Sequence, residues 1–112
     1  DFWHETPARF GERTGTDMFV GRHASGHFAA LGLTDITLDY VIVDTLRVPR
    51  ETFATIFEAW RDGYVEPIAE FTRFTREEAT AYFNRMIADI KDPQRYAVWM
   101  VPVVAGRVPL AG

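Results

Sequence analysis

Apolar positions along this chain repeat with two different periods. Phe53, Ile56, Phe57, Trp60 and Tyr64 recur at i, i+3, i+4, i+7 and i+11, the stripe of an amphipathic helix closed by Gly63. Ala79, Tyr82, Phe83, Met86, Ile87 and Ile90 trace a second such face. A Thr75/Glu78 capping box with Phe74 before it opens that helix, and Pro93 follows its end. Phe19, Val20, Ala24, Phe28 and Leu31 outline an earlier helix. Asp17 is its expected N-cap and Gly32 its expected left-handed terminator, with Leu33 as the accompanying apolar contact. The period changes over 36–45 (ITLDYVIVDT), which is β-branched and aromatic and reads as a strand. Ile36, Leu38, Tyr40 and Ile42 face one way and Val41 and Val43 the other, so its second half is expected to be covered on both faces. A second strand is expected over 96–105, with a bulge or early end at Pro102. Residues 1–16 and 65–74 read as loop or turn with short helical pieces, the second containing Pro67.

The order is therefore helix and turn (17–35), strand (36–45), a helical stretch (46–95) and strand (96–105). As an isolated chain this is α+β, with two antiparallel strands and about three helices. A lone pair of strands is marginal unless helices pack on it. At 112 residues, 47% of them hydrophobic, the chain has material for one core, as a single domain or part of one. It is too short for the two βαβ halves of a dinucleotide-binding sheet. Twelve basic against sixteen acidic residues give a net charge of −4, with Lys91 the single lysine and the arginines scattered. That charge pattern argues against a nucleic-acid partner. The absence of cysteine excludes disulfides and thiolate chemistry and fits a cytoplasmic location. The apolar run from Tyr96 to Ala105 is far short of the ~20 residues a bilayer span requires, so no membrane association is expected.

Candidate chemistry is sparse. Gly21 and Gly26 have the spacing of a phosphate-cradling loop, but His27 and Phe28 stand where Lys and Ser or Thr are needed. His23 and His27 share a helix face without a third ligand nearby, so no metal is expected. Glu77 and Glu78 suit a helix start, and Glu51 and Glu58 suit a solvated face. Asp44 ends an apolar strand and is followed by Thr45 and Arg47, for which a structural Asp–Arg pair or turn cap is favoured over general-base duty. Nothing marks Ser25, the lone serine, as a nucleophile, and no catalytic residue is assigned. The densest feature is aromatic: Phe53, Phe57, Trp60 and Tyr64 with Phe71, Phe74, Tyr82 and Phe83. Packing of two helices accounts for most of these. Trp60, Tyr64 and Tyr82 each add a polar tip and are the best candidates to line a pocket for a planar or apolar ligand.

Several stretches resemble the C-terminal half of class I S-adenosylmethionine-dependent methyltransferases. Val20-Gly-Arg-His through Ala30-Leu-Gly-Leu-Thr-Asp-Ile, leading into the strand that ends Val43-Asp-Thr, looks like a late helix-turn-strand of those enzymes. Val43-Asp-Thr-Leu-Arg-Val-Pro-Arg, Phe57-Glu-Ala-Trp-Arg-Asp-Gly-Tyr and the tail from Asp92-Pro through Tyr96-Ala-Val-Trp-Met-Val-Pro-Val-Val-Ala-Gly-Arg are similar to a bacterial subgroup acting on small molecules. The resemblance covers roughly 17–108. It implies an α/β, Rossmann-like parent in which 36–45 is the sixth strand and 96–105 the seventh, antiparallel one. The helical stretch between them becomes an insertion beside the substrate mouth, a substrate cap. Trp60, Tyr64, Tyr82 and Arg47 would then contact the methyl acceptor. The family's glycine-rich cofactor motif is absent, so no cofactor-binding residue is carried over, and S-adenosylmethionine is expected only in the complete parent. The chain would be an excised C-terminal portion or a degenerate relative, pairing with an N-terminal portion or with itself. A reading from a different class is a non-catalytic binding or dimerisation module whose two open strand edges pair in a homodimer.

Overall fold

A computed structural model of the chain describes residues 2–110. These form α1 (Phe2–Thr14), α2 (Val20–Ala30), β1 (Thr34–Asp44), α3 (Arg50–Phe71), α4 (Arg76–Lys91) and β2 (Val98–Arg107). The architecture is α+β. The residues gather into two compact units, a helical unit of 2–18 with 43–98 and a ribbon unit of 19–42 with 99–110.

The helical unit holds the core. The stripes of α3 and α4 meet as their spacing predicts, burying Phe53, Ala54, Phe57, Val65 and Ile68 from one helix and Ala79, Phe83, Ile87 and Ile90 from the other. Burying each large apolar side chain contributes about 1.5–3 kcal/mol. The Thr75–Glu78 capping box is formed in both directions, and Phe74 joins the core beside Ala79. Arg50, in the first turn of α3, donates to the carbonyls of Ile90, Asp92 and Arg95 at 2.7–2.9 Å and so satisfies the end of α4.

Two expectations are corrected here. The helix read as closing at Gly63 continues through Pro67 to Phe71, so 65–74 is mostly helix. Pro67 removes the hydrogen bond to the Gly63 carbonyl, but Val65 and Ile68 on the same turn are buried and hold the chain helical. Residues 2–14, read as loop, form α1 despite Pro7 and Gly11. A helix this short is marginal in water. It is fixed by tertiary packing, with Phe2 stacked on Tyr82 at 4.4 Å and edge-on to Phe74 and Phe83. Glu5 also receives two bonds from the Arg73 guanidinium, at 2.7 and 2.9 Å, which hold its carboxyl below the usual carboxylate range.

In the ribbon unit, β1 and β2 pair with each other in a two-stranded sheet, the one sheet among the described residues. Gly32 is left-handed, at φ 80°, and its N–H donates to Ala29 while that of Leu33 donates to Phe28, the double bond of a Schellman ending. The helix begins later than expected: Val20 follows an N-cap at Phe19, which makes no side-chain capping bond, and Asp17 lies outside it. Gly21 lets α2 approach the ribbon, since a Cβ there would stand 2.9 Å from Pro102 Cγ. Pro102 neither ends nor truncates its strand, which runs on to Arg107. A two-stranded ribbon leaves each strand an unladdered side, where proline is tolerated. The largest correction concerns coverage. Tyr40 and Val41 are each 53% exposed, and Leu38, Ile42, Met100 and Val103 are also exposed, so β1 is not covered on both faces. Among the described residues, no helix is long and apolar enough to cross a membrane.

Candidate functional site

Within the helical unit, one cleft of about 210 Å³ is lined by α1 (Phe2, Trp3, Thr6, Pro7, Phe10), by Met18, by α3 (Trp60, Tyr64, Ile68) and by Phe83 of α4. Its position follows from the helix periods. Trp60, Tyr64 and Ile68 succeed one another at i, i+4 and i+8 on α3, while Phe2, Thr6 and Phe10 do the same on α1. The aromatic walls are braced edge to face. Trp3 meets Phe83 at 5.4 Å and Phe2 at 5.0 Å, and Trp60 leans on Phe57 at 4.8 Å. Among the described residues, none that lines it is charged. Thr6 is buried, and its Oγ1 has no hydrogen-bond partner among the described residues.

Of the residues singled out from the sequence, Trp60 and Tyr64 line this cleft together. Tyr82 does not; its ring stacks on Phe2 and lies edge-on to Phe74, so it supports the cleft from behind. Arg47 also stands apart. It sits between β1 and α3 and pairs with Asp44. The α1 residues and Met18 escaped sequence reasoning, although Phe2, Trp3, Thr6, Pro7 and Phe10 carry a helical spacing of i, i+1, i+4, i+5 and i+8. Charged neighbours and Pro7 masked that signal.

Asp44 is the one fully buried carboxylate among the described residues. Its Oδ1 accepts the backbone N–H groups of Leu46 at 3.0 Å and Arg47 at 2.7 Å, and its Oδ2 accepts from the Arg47 guanidinium and, at 2.8 Å, from the Tyr96 hydroxyl. Burial pushes the carboxyl's pKa up. The bonds from Tyr96, from both backbone N–H groups and from Arg47 outweigh it and hold the value below the ordinary one. The same bond pushes the Tyr96 phenol up. With both lone-pair regions occupied, Asp44 is the turn cap and Arg pair that the sequence favoured. It ties the end of β1 to the chain entering β2, beside the Thr45–Ala97 backbone bond of 3.1 Å. His23 and His27 have ring centroids 6.3 Å apart on α2. Among the described residues, no three His, Cys, Asp or Glu side chains group as metal ligands.

No protein-family model, curated protein or solved structure matches the chain.

Proposed function

We propose that this chain is the substrate-side, C-terminal part of a cytoplasmic S-adenosylmethionine-dependent small-molecule methyltransferase, whose helical insertion shapes the pocket of the methyl acceptor. The observation that carries this reading is the pairing of β1 with β2, while the chain between them supplies α3 and α4, two walls of an aromatic cleft. That is the arrangement expected where an insertion separates the last two strands of the parent sheet. The uncovered apolar side chains of the ribbon support it too, because strands that belong to a larger sheet leave such surface bare when taken alone.

On this reading Trp60 and Tyr64 form acceptor-contacting walls, Tyr82 backs Phe2, and Arg47 acts by keeping the Asp44 turn in shape. The bound cofactor supplies an electrophilic methyl group, and the enzyme's contribution is mainly to hold the acceptor in line with it. No residue of this chain matches the family's cofactor motif, so no step is assigned to the cofactor here.

Reconstitution tests the proposal. Combined with a glycine-rich N-terminal portion encoded in the same reading frame, the chain is expected to restore transfer of labelled methyl groups. Tyr64→Ala should then lower acceptor kcat/KM by about tenfold while leaving cofactor affinity unchanged. Tight, stoichiometric binding of S-adenosylmethionine by the chain alone, or an inactive reconstituted pair, would sink it. The open edges of β1 and β2 favour one other reading, a non-catalytic binding or dimerisation module. Light scattering separates the two: a concentration-dependent dimer without restored activity supports the module, and a stable monomer counts against it.

A further inference from the structure

We infer that the helical cleft is a binding site for an uncharged, planar aromatic molecule of one or two fused rings that carries a single hydrogen-bonding substituent. Three observations converge on that class. Size comes first. A cavity of about 150 Å³ holds benzene, and drug-sized ligands need about 300–1,000 Å³, so a cleft of about 210 Å³ suits one ring or a small bicycle. Charge comes second. Among the described residues the lining offers no carboxylate, amine, guanidinium or imidazole, so an anion or cation entering the cleft would lose its hydration without gaining an ion-pair partner there.

Shape and polarity complete the case. Phe2, Trp3 and Phe83 already meet one another edge to face, which leaves an aromatic wall suited to an inserted ring edge or face. Thr6 is the small polar residue of that wall, and its hydroxyl is buried without a partner among the described residues. Its Oγ1 is shielded from solvent in this conformation, so a guest hydroxyl or amine would reach it through rotation of the Thr6 side chain, and the new bond would offset the cost of a buried hydroxyl left unbonded. The assignment deepens the acceptor-site reading and rests on it for the identity of the guest. Its test needs no methyl transfer, so the two can fail separately.

The three indole N–H groups of the chain make the test internal. Trp3 and Trp60 line the cleft, whereas Trp99 lies in the ribbon unit. In a nitrogen–proton correlation spectrum of the 112-residue chain, 2-naphthol is expected to shift the Trp3 and Trp60 indole signals and leave Trp99 in place. Its Kd should be on the order of 0.1 mM, a modest efficiency for eleven non-hydrogen atoms. Naphthalene should bind about fivefold more weakly, and 2-naphthoate and tetramethylammonium at least tenfold more weakly. Thr6→Val keeps the side-chain shape and should erase the difference between 2-naphthol and naphthalene. Tyr64→Ala, on the exposed side of α3, should weaken both. Shifts at Trp99 equal to those at Trp3 and Trp60, or naphthoate or tetramethylammonium binding as tightly as naphthol, would overturn the ligand class. A naphthol preference that survives Thr6→Val would overturn the role of Thr6.

Discussion

The helical and ribbon units are built from similar apolar material and use it in opposite ways. Every side chain that is buried among the described residues, from Phe2 to Ile90, belongs to the helical unit. In the ribbon unit Leu38, Tyr40, Val41, Ile42, Met100 and Val103 stay exposed although all lie on hydrogen-bonded strands. The difference lies in how many elements can close around a face. Three helices enclose one another's stripes, so Phe83 is only 2% exposed. A two-stranded ribbon has two faces and two edges, and a single short helix cannot cover them. Stability of the isolated chain therefore resides in the helical unit, and the ribbon is the part that invites a cover.

Substitutions that separate the two units give the sharpest tests. Phe83→Ala should cost the most, about 3–5 kcal/mol by urea denaturation, because it opens a cavity where α1, α3 and α4 meet. A cost below about 1 kcal/mol would place the stable core elsewhere. Asp44→Asn comes next, with Tm at neutral pH falling by roughly 5–10 °C as the Arg47 and Tyr96 bonds weaken. Its folded pKa is depressed, so the carboxylate's contribution is fully present above its unfolded value, near pH 4, and is lost as pH falls through the lower folded value. The Tm gap between wild type and Asp44→Asn should accordingly be constant from pH 7 to 5 and close only below about pH 4. A gap that closes near pH 6 would point to a different group.

Within the ribbon unit, Gly21→Ala is expected to cost about 1–3 kcal/mol by driving a methyl into the rigid Pro102 ring. Amide exchange localises that effect, with β1 and β2 losing protection before α3 and α4 do. Val41→Thr should have the smallest effect, within about 0.5 kcal/mol, since the side chain is already half in water. A larger loss from Val41→Thr that grows with protein concentration would show a second copy covering the ribbon.

Legibility from the sequence followed the range of the interactions involved. The α3 and α4 stripes, the Thr75–Glu78 box and the Gly32 ending depend on residues a few positions apart, and each was readable in advance. So were Trp60 and Tyr64 as cleft residues, because they lie on one face of one helix. α1 was not readable as a helix, since Pro7 and Gly11 weaken its local propensity and its stability comes from Phe2 meeting Phe74, Tyr82 and Phe83 far along the chain. Pro67 misled for the same reason: the local penalty is real, but burial of Val65 and Ile68 overrides it.

Local pattern was therefore enough to establish the element types, the caps, the α+β class and the Asp44–Arg47 turn, whose partners are three residues apart. Tertiary packing alone decided three further things. It made residues 2–14 one wall of the cleft, it turned Tyr82 toward Phe2 instead of the opening, and it left much of the ribbon's apolar surface exposed. Periodicity says which face of an element is apolar, but only the number and placement of neighbouring elements determine whether that face is covered.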